Sequence, residues 1–248
     1  MIAINEVNLY RGKPIQITDK IVLKSPTWNE VFDYGEKEYL NFIHTFTSTN
    51  MDANMIVFLT DIGLDFNSVN SWNLFVLLCK IMNKSSCLLF GDLDFSTLEP
   101  KSDNGVLYLQ NKDGVIIDEA IHGIMVNYVR KMNNVAPPKY TRVKDDPVQK
   151  QMAIDDARNQ IESQKRKERF APTGSLLLPI ISSMVNQAGF KHDERTVFDM
   201  NIYPFWDSVN RISAIDNARN LYRGLYNGCL DLKANPSLKK ELDWMRRL

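Results

Sequence analysis

The apolar positions near the N-terminus alternate with polar ones and then change to a helical spacing. Alternation within residues 2–24, with turns at 11–14 and 19–20, predicts a small β meander. Thr27 and Glu30 have the spacing of a capping box and open an apolar-periodic helix that Gly35 is expected to interrupt. Further helices are predicted at about 52–62 and from Asn70 or Ser71 onwards. Together these segments predict a helical cluster packed on a β element.

A second β signal follows in the middle of the chain. Residues 106–110 and 115–117 flank the dipeptide Asp113-Gly114, which supplies the positive φ of a tight hairpin turn. Residues 91–95 are interpreted as a tight turn, because the spacing of oxygen ligands that a calcium loop needs is not met. A helix is predicted at about 118–132. His122 lies beside its apolar face near Glu119, which leaves a structural histidine or an acid–base pair open.

The stretch from 133 to 172 is polar and broken by proline, and we predict a linker there. A polar helix is expected from about Pro147 to Arg169, ending in a basic run at 165–169. Nine Lys and Arg face six Asp and Glu between 139 and 169, a net charge of +3. A solvated linker helix and a nucleic-acid contact are the two interpretations. The predicted domains are therefore 1–135 (N-terminal α+β), 136–172 (linker) and 173–248 (C-terminal helical module).

The C-terminal module contains the longest amphipathic pattern. An apolar segment at 176–181 precedes a short turn around Val197-Phe198 and a long helix opened by residues 203–206, for which Gly228 is a C-terminal stop. A last helix is expected from Asn235-Pro236. The aromatic stripe of the long helix fits a buried core face or an exposed grip for a partner. The fold class is α+β and predominantly α-helical, with the N-terminal β meander, a central β-hairpin and this helical module.

The composition of the chain excludes several classes of function but does not indicate one. Thirty basic and thirty acidic residues give a net charge of zero, which argues against a protein built mainly to bind phosphate backbones. Three cysteines and three histidines form no zinc-binding pattern. No nucleophile elbow or phosphate-binding loop is present. We therefore predict no enzyme, catalytic residue, metal or cofactor, and an intracellular protein, since neither a signal peptide nor a long apolar span is seen.

The order of these features resembles a known group of proteins. The segments that carry the resemblance are residues 17–27, 34–39, 89–95, 201–207, 225–228 and 241–245. In this order they resemble proteins of the tail-morphogenesis modules of tailed bacteriophages of Gram-positive hosts, and in general the tail assembly chaperones.

The resemblance implies a non-enzymatic, chaperone-like protein in the host cytoplasm. Such proteins shield apolar helices of the tape-measure protein and help recruit tail-tube subunits, and homo-oligomers are possible partners too. The implied contact residues are the aromatic side chains of the C-terminal module and its end: Phe205, Trp206, Tyr222, Tyr226, Trp244 and Met245. A structural virion component (tail, neck or baseplate) and a nucleic-acid-binding regulator acting through the basic linker remain alternatives.

Overall fold

Helices dominate the structure, and the strands form two small antiparallel sheets. The computed structural model describes residues 4–80, 82, 87–136, 143–170 and 174–246. The helices are α1 (Glu6–Tyr10), α2 (Trp28–Tyr34), α3 (Glu36–Thr47), α4 (Ala53–Asp61), α5 (Ser71–Leu78), α6 (Cys87–Phe90), α7 (Glu119–Met132), α8 (Pro147–Phe170), α9 (Leu178–Val185), α10 (Ile202–Tyr226) and α11 (Leu238–Leu242). The strands are β1 (Ile15–Thr18), β2 (Ile21–Leu23), β3 (Glu99–Asp103), β4 (Val106–Gln110) and β5 (Ile116–Ile117). The predicted predominantly helical α+β class is confirmed.

Capping side chains set where the predicted helices begin. The capping box of α2 is complete, with Thr27 and Glu30 each accepting from the other's backbone N–H. Asn70 caps α5, and Asp118 caps α7 by accepting from the N–H of Ile121 at 2.7 Å. Gly35, with a φ of 112°, separates α2 from α3 as expected. These caps satisfy amide groups that the first turn of a helix leaves unpaired.

The β structure differs from the prediction at two places. Residues 6–10 form the helix α1 instead of a strand, because Asn5 accepts a hydrogen bond from the N–H of Asn8 and caps a helical turn. The predicted central hairpin, β4–β5, is present, but β3 pairs with β4 as a third strand. Asn104 and Gly105 both have positive φ and form the β3–β4 turn.

The core is one cluster of buried side chains shared by most elements. At its centre Phe46 packs against Phe75, Phe90 and Phe95, with ring centroids 5.3–5.5 Å apart. Phe95, at the end of the segment predicted as a tight turn, is fully buried. Burial of such rings is the main favourable term in folding. The cluster extends into α9 and the first part of α10.

The polar helix α8 lies against α4. Ala157 is buried and Ile154 is partly buried at this contact, while most of the other described side chains of α8 are exposed. Lys150 Nζ lies 2.8 Å from Asp65 Oδ2 at one end of the pair. The predicted linker residues 137–142 and 171–172 lie outside the described residues. The predicted domain boundaries remain predictions.

A junction between two distant segments positions α10. The N–H of Trp28 donates to the carbonyl of Met200, and the N–H of Ile202 donates to the carbonyl of Pro26. Asn201 Nδ2 donates to the carbonyl of Ser25 at 2.6 Å. Trp28 also packs edge-to-face on Phe205, with ring centroids 5.0 Å apart. The start of the longest helix is therefore fixed on the start of α2.

The two ends of α10 should respond differently to truncation of an aromatic side chain. Phe205→Ala is expected to reduce the free energy of unfolding by about 3–5 kcal/mol, because Phe205 is fully buried and its removal leaves a cavity. Tyr226→Ala is the control in the same helix, and we expect a change within about 0.5 kcal/mol since its side chain is exposed. Urea denaturation followed by far-ultraviolet circular dichroism measures both. Equal losses for the two variants would show that this division of α10 is wrong.

Candidate functional site

The first part of α10 belongs to the core, and the second part leaves it. Val209 and Ile212 are the last side chains of α10 that pack on the main core cluster. Beyond them, Ala214 and Ala218 are buried outside that cluster. With 25 residues at about 1.5 Å each, α10 is about 37 Å long, so its last turns extend well past the core contact. We call residues 213–246 the distal hairpin, because the chain reverses at Gly228 and returns along α10 through α11.

The distal hairpin is held by close backbone packing and polar contacts. Asn217 Nδ2 donates to Glu241 Oε2 at 2.9 Å, which joins α10 to α11. Arg211 donates to the carbonyls of Trp244 and Arg246, at 3.2 and 2.7 Å. Gly224 lies so close to Leu230 that a Cβ on it would approach the leucine side chain within 2.7 Å. The returning segment is thus fixed on the helix at its turn, its middle and its end.

An open groove lies on this hairpin. Its volume is about 500 Å³, and it is lined by Tyr222, Leu232, Lys239, Leu242, Asp243, Trp244 and Met245. Tyr226 extends it, because its ring stacks on that of Tyr222 with centroids 6.5 Å apart. We call this surface, including Tyr226, the distal groove. Contiguous exposed apolar patches mark binding surfaces more often than single exposed side chains do.

Most of the predicted contact residues come together in the distal groove. Tyr226 and Met245 are 86% and 72% exposed, and Tyr222 and Trp244 are less exposed. These four residues come from the end of α10 and from the segment after α11, and they meet only because the chain reverses. Four further residues complete the groove and were not predicted: Leu232, Lys239, Leu242 and Asp243. For Lys239 and Leu242 the signal in the sequence was the amphipathic pattern of the last predicted helix, whereas Leu232 precedes that helix.

Phe205 and Trp206 do not belong to this surface. Phe205 is fully buried between Trp28 and Phe190, so its inclusion among exposed contact residues is corrected. Trp206 is half-buried and packs edge-on against Trp28, with ring centroids 6.3 Å apart. Both side chains are held in place by the junction with α2. The last helix, predicted from Asn235-Pro236, begins only at Leu238, because residues 235–237 form a turn.

The candidate acid–base residue His122 is part of the core. Its ring stacks on Phe75 with centroids 4.2 Å apart and also contacts Phe46 and Trp72. Burial, followed by the charge of Arg130, lowers the pKa of His122 to about 3. Nε2 is buried without a hydrogen-bond partner among the described residues. A neutral imidazole stacked among aromatic rings is a structural histidine.

The described residues contain no cluster of three or more His, Cys, Asp or Glu side chains that could hold a metal ion. Cys79 is buried, as expected for a small apolar residue, and Cys229 is an exposed free thiol in the turn after α10. None of the helices within the described ranges is both long enough and apolar enough to cross a bilayer.

Residues 166–248 match a protein-family model described as the YomV second domain. The match covers about a third of the chain, and it includes α9, α10, α11 and the whole distal groove. The family is derived from phage, which is consistent with a phage protein. No curated protein and no solved structure matches the chain significantly.

His122 should make the stability of the protein fall with decreasing pH. The unfolded imidazole takes up a proton near pH 6.5, whereas the folded one does so only near pH 3. Protons therefore favour the unfolded state between these values. From pH 7 to pH 5 we expect a loss of about 2 kcal/mol in the free energy of unfolding that His122→Phe does not show.

Urea denaturation of the unmodified chain and of His122→Phe at several pH values measures this loss of stability. His44→Gln is the matched control, since it removes an exposed histidine and leaves His122 in place. The free energy of unfolding of His44→Gln should change with pH in the same way as that of the unmodified chain. If the stability of His122→Phe has the same pH dependence as that of the unmodified chain, the assignment of a buried and neutral His122 is wrong.

Proposed function

We propose that this chain is a non-enzymatic phage tail assembly protein that acts as a chaperone in the host cytoplasm. In this proposal it binds the tape-measure protein, the tail-tube protein or both. The observation that carries it is the distal groove, a cluster of exposed aromatic and apolar side chains on a hairpin outside the main core. The phage-derived family match over the same residues supports it, as does the resemblance in the order of sequence segments to tail assembly chaperones.

The physical mode that fits this surface is the recognition of a helix in a groove. A long apolar helix that has not yet assembled exposes a stripe of side chains at the i, i+3, i+4 and i+7 positions. Tyrosine and tryptophan bury large areas with little loss of conformational freedom, so they contribute strongly to such contacts. The clamped backbone of the distal hairpin lowers the cost of ordering on binding.

The proposal is tested by affinity capture with the tagged full-length chain from phage-producing cells, followed by mass spectrometry. We expect tape-measure or tail-tube protein in the eluate. Tyr226→Ser should reduce its recovery at least about tenfold, because an exposed aromatic contact is lost. Leu176→Ser is the matched control, since Leu176 is 72% exposed but lies outside the distal groove, and it should leave recovery unchanged.

Mass spectrometry of purified virions distinguishes the alternatives. A chaperone is absent from the mature particle, whereas a structural component is present in stoichiometric amounts. Stoichiometric presence of this chain would contradict the proposal and favour the virion subunit. Equal loss of capture by Tyr226→Ser and Leu176→Ser would contradict the role of the distal groove.

A further inference from the structure

The charged residues of the distal hairpin are arranged unequally around the groove. Residues 213–246 contain six Lys and Arg and four Asp and Glu, a net formal charge of +2. The net charge alone is small. The distribution is more informative, because the acidic side chains are engaged within the hairpin and several basic ones are not.

Each acidic side chain of the distal hairpin has an internal partner. Asp216 accepts from Gln187 at 2.9 Å and from Arg219, and Glu241 accepts from Asn217. The other two stabilise turns: Asp231 accepts from the N–H of Lys233 at 2.7 Å, and Asp243 accepts from the N–H of Met245 at 3.1 Å. These contacts hold the carboxylates in place within the fold, although each carboxylate keeps its negative charge and can accept further hydrogen bonds.

The basic side chains at the rim are exposed and uncommitted. Arg223 lies three residues before Tyr226 on α10 and is therefore its neighbour on the helix surface, and Lys239 lines the distal groove. Lys240 follows Lys239 on α11. Within the described parts of the chain, the side chains of Arg223, Lys239 and Lys240 have neither an ion pair nor a hydrogen bond. Lys239 and the nearby Arg223 and Lys240 therefore outnumber the one carboxylate among the described residues of the groove lining, that of Asp243.

We propose that the distal groove binds an amphipathic helix of a partner protein whose apolar stripe is flanked by Asp and Glu. This inference rests on the proposed function for the surface and adds the charge of the partner. The apolar side chains enter between Tyr222, Leu242 and Trp244, and the acidic ones face Arg223 and Lys239. Complementary charges at the rim accelerate encounter and reject helices with basic flanks.

The lining of the groove favours a protein helix over a nucleic acid. Leu232, Leu242 and Met245 offer apolar contacts that suit Leu or Met side chains. Single-stranded nucleic acid needs a basic track along its backbone beside the stacking rings. The net charge of +2 over the whole hairpin is small for binding to a phosphate backbone. Carboxylates on a helix need only the few cations that the rim provides.

The test uses the full-length chain and two labelled synthetic helical peptides. Both have Leu at i, i+3, i+4 and i+7 positions. One has Glu on the flanks of the Leu stripe, and the other has Lys there. Fluorescence anisotropy at low and at physiological salt should show at least about tenfold tighter binding of the Glu peptide. Binding should weaken as salt rises, because rim charges are screened.

Charge-reversal variants show which side chains cause the preference for the Glu peptide. Arg223→Glu and Lys239→Glu should each weaken the Glu peptide about tenfold and bring the two peptides closer in affinity. Lys112→Glu is the matched control, because Lys112 is an exposed lysine in the turn between β4 and β5. It should leave both affinities unchanged. Circular dichroism of each variant checks that the fold is retained.

Three results would overturn the inference. These are equal affinity for the two peptides, no binding of the Glu peptide at millimolar concentration, and tighter binding of a labelled oligothymidylate than of the Glu peptide. Failure of this inference is distinguishable from failure of the proposed function. Tail proteins captured in a Tyr226-dependent way without a charge preference would retain the function and remove the acidic partner. If the chain prefers the Glu peptide but captures no tail proteins, the acidic partner is retained and the proposed function is removed.

Discussion

Two backbone hydrogen bonds and a set of aromatic rings join the start of α10 to the start of α2, and the placement of α10 depends on them. The N–H groups of Trp28 and Ile202 bond to carbonyls of the opposite segment, and the Asn201 amide adds a third contact. Phe205 then packs its ring on that of Trp28. Gly12 packs closely against this junction, since a Cβ on it would overlap the Asn201 side chain. Segments far apart in the chain thereby become neighbours.

The junction also explains how one helix serves two purposes. Its first part is anchored in the core through Phe205, and its second part carries Tyr222 and Tyr226 into solvent. Because an α-helix of this length is stiff, the anchored end fixes the position of the free end. The distal groove is therefore held rigidly although few of its side chains touch the main core. A preformed groove binds a partner at a lower entropic cost than a mobile tail would.

Much of the fold could be predicted because its signals are local. The Thr27–Glu30 capping box, the Asp118 cap and the Asp113-Gly114 turn each depend on residues within one turn of the chain. The strand β3 was missed although Asn104-Gly105 is itself a strong hairpin signal, because its strand is polar and fully exposed. In residues 6–10, the Asn5 cap outweighed an alternation that resembled a strand.

The candidate site was harder to predict, because burial of an aromatic side chain depends on partners that are distant in sequence. Phe205 and Tyr226 fit the same helical stripe, yet only Phe205 meets Trp28 and Phe190. The charge of the groove was hard to predict for the same reason, because it depends on residues that are distant in sequence. Asp231 and Asp243 are both close to lysines in the sequence, yet Asp243 lines the groove and Asp231 does not. The charge beside the groove thus depends on which side chains the chain reversal brings to it, and a count of charges along the sequence does not show this.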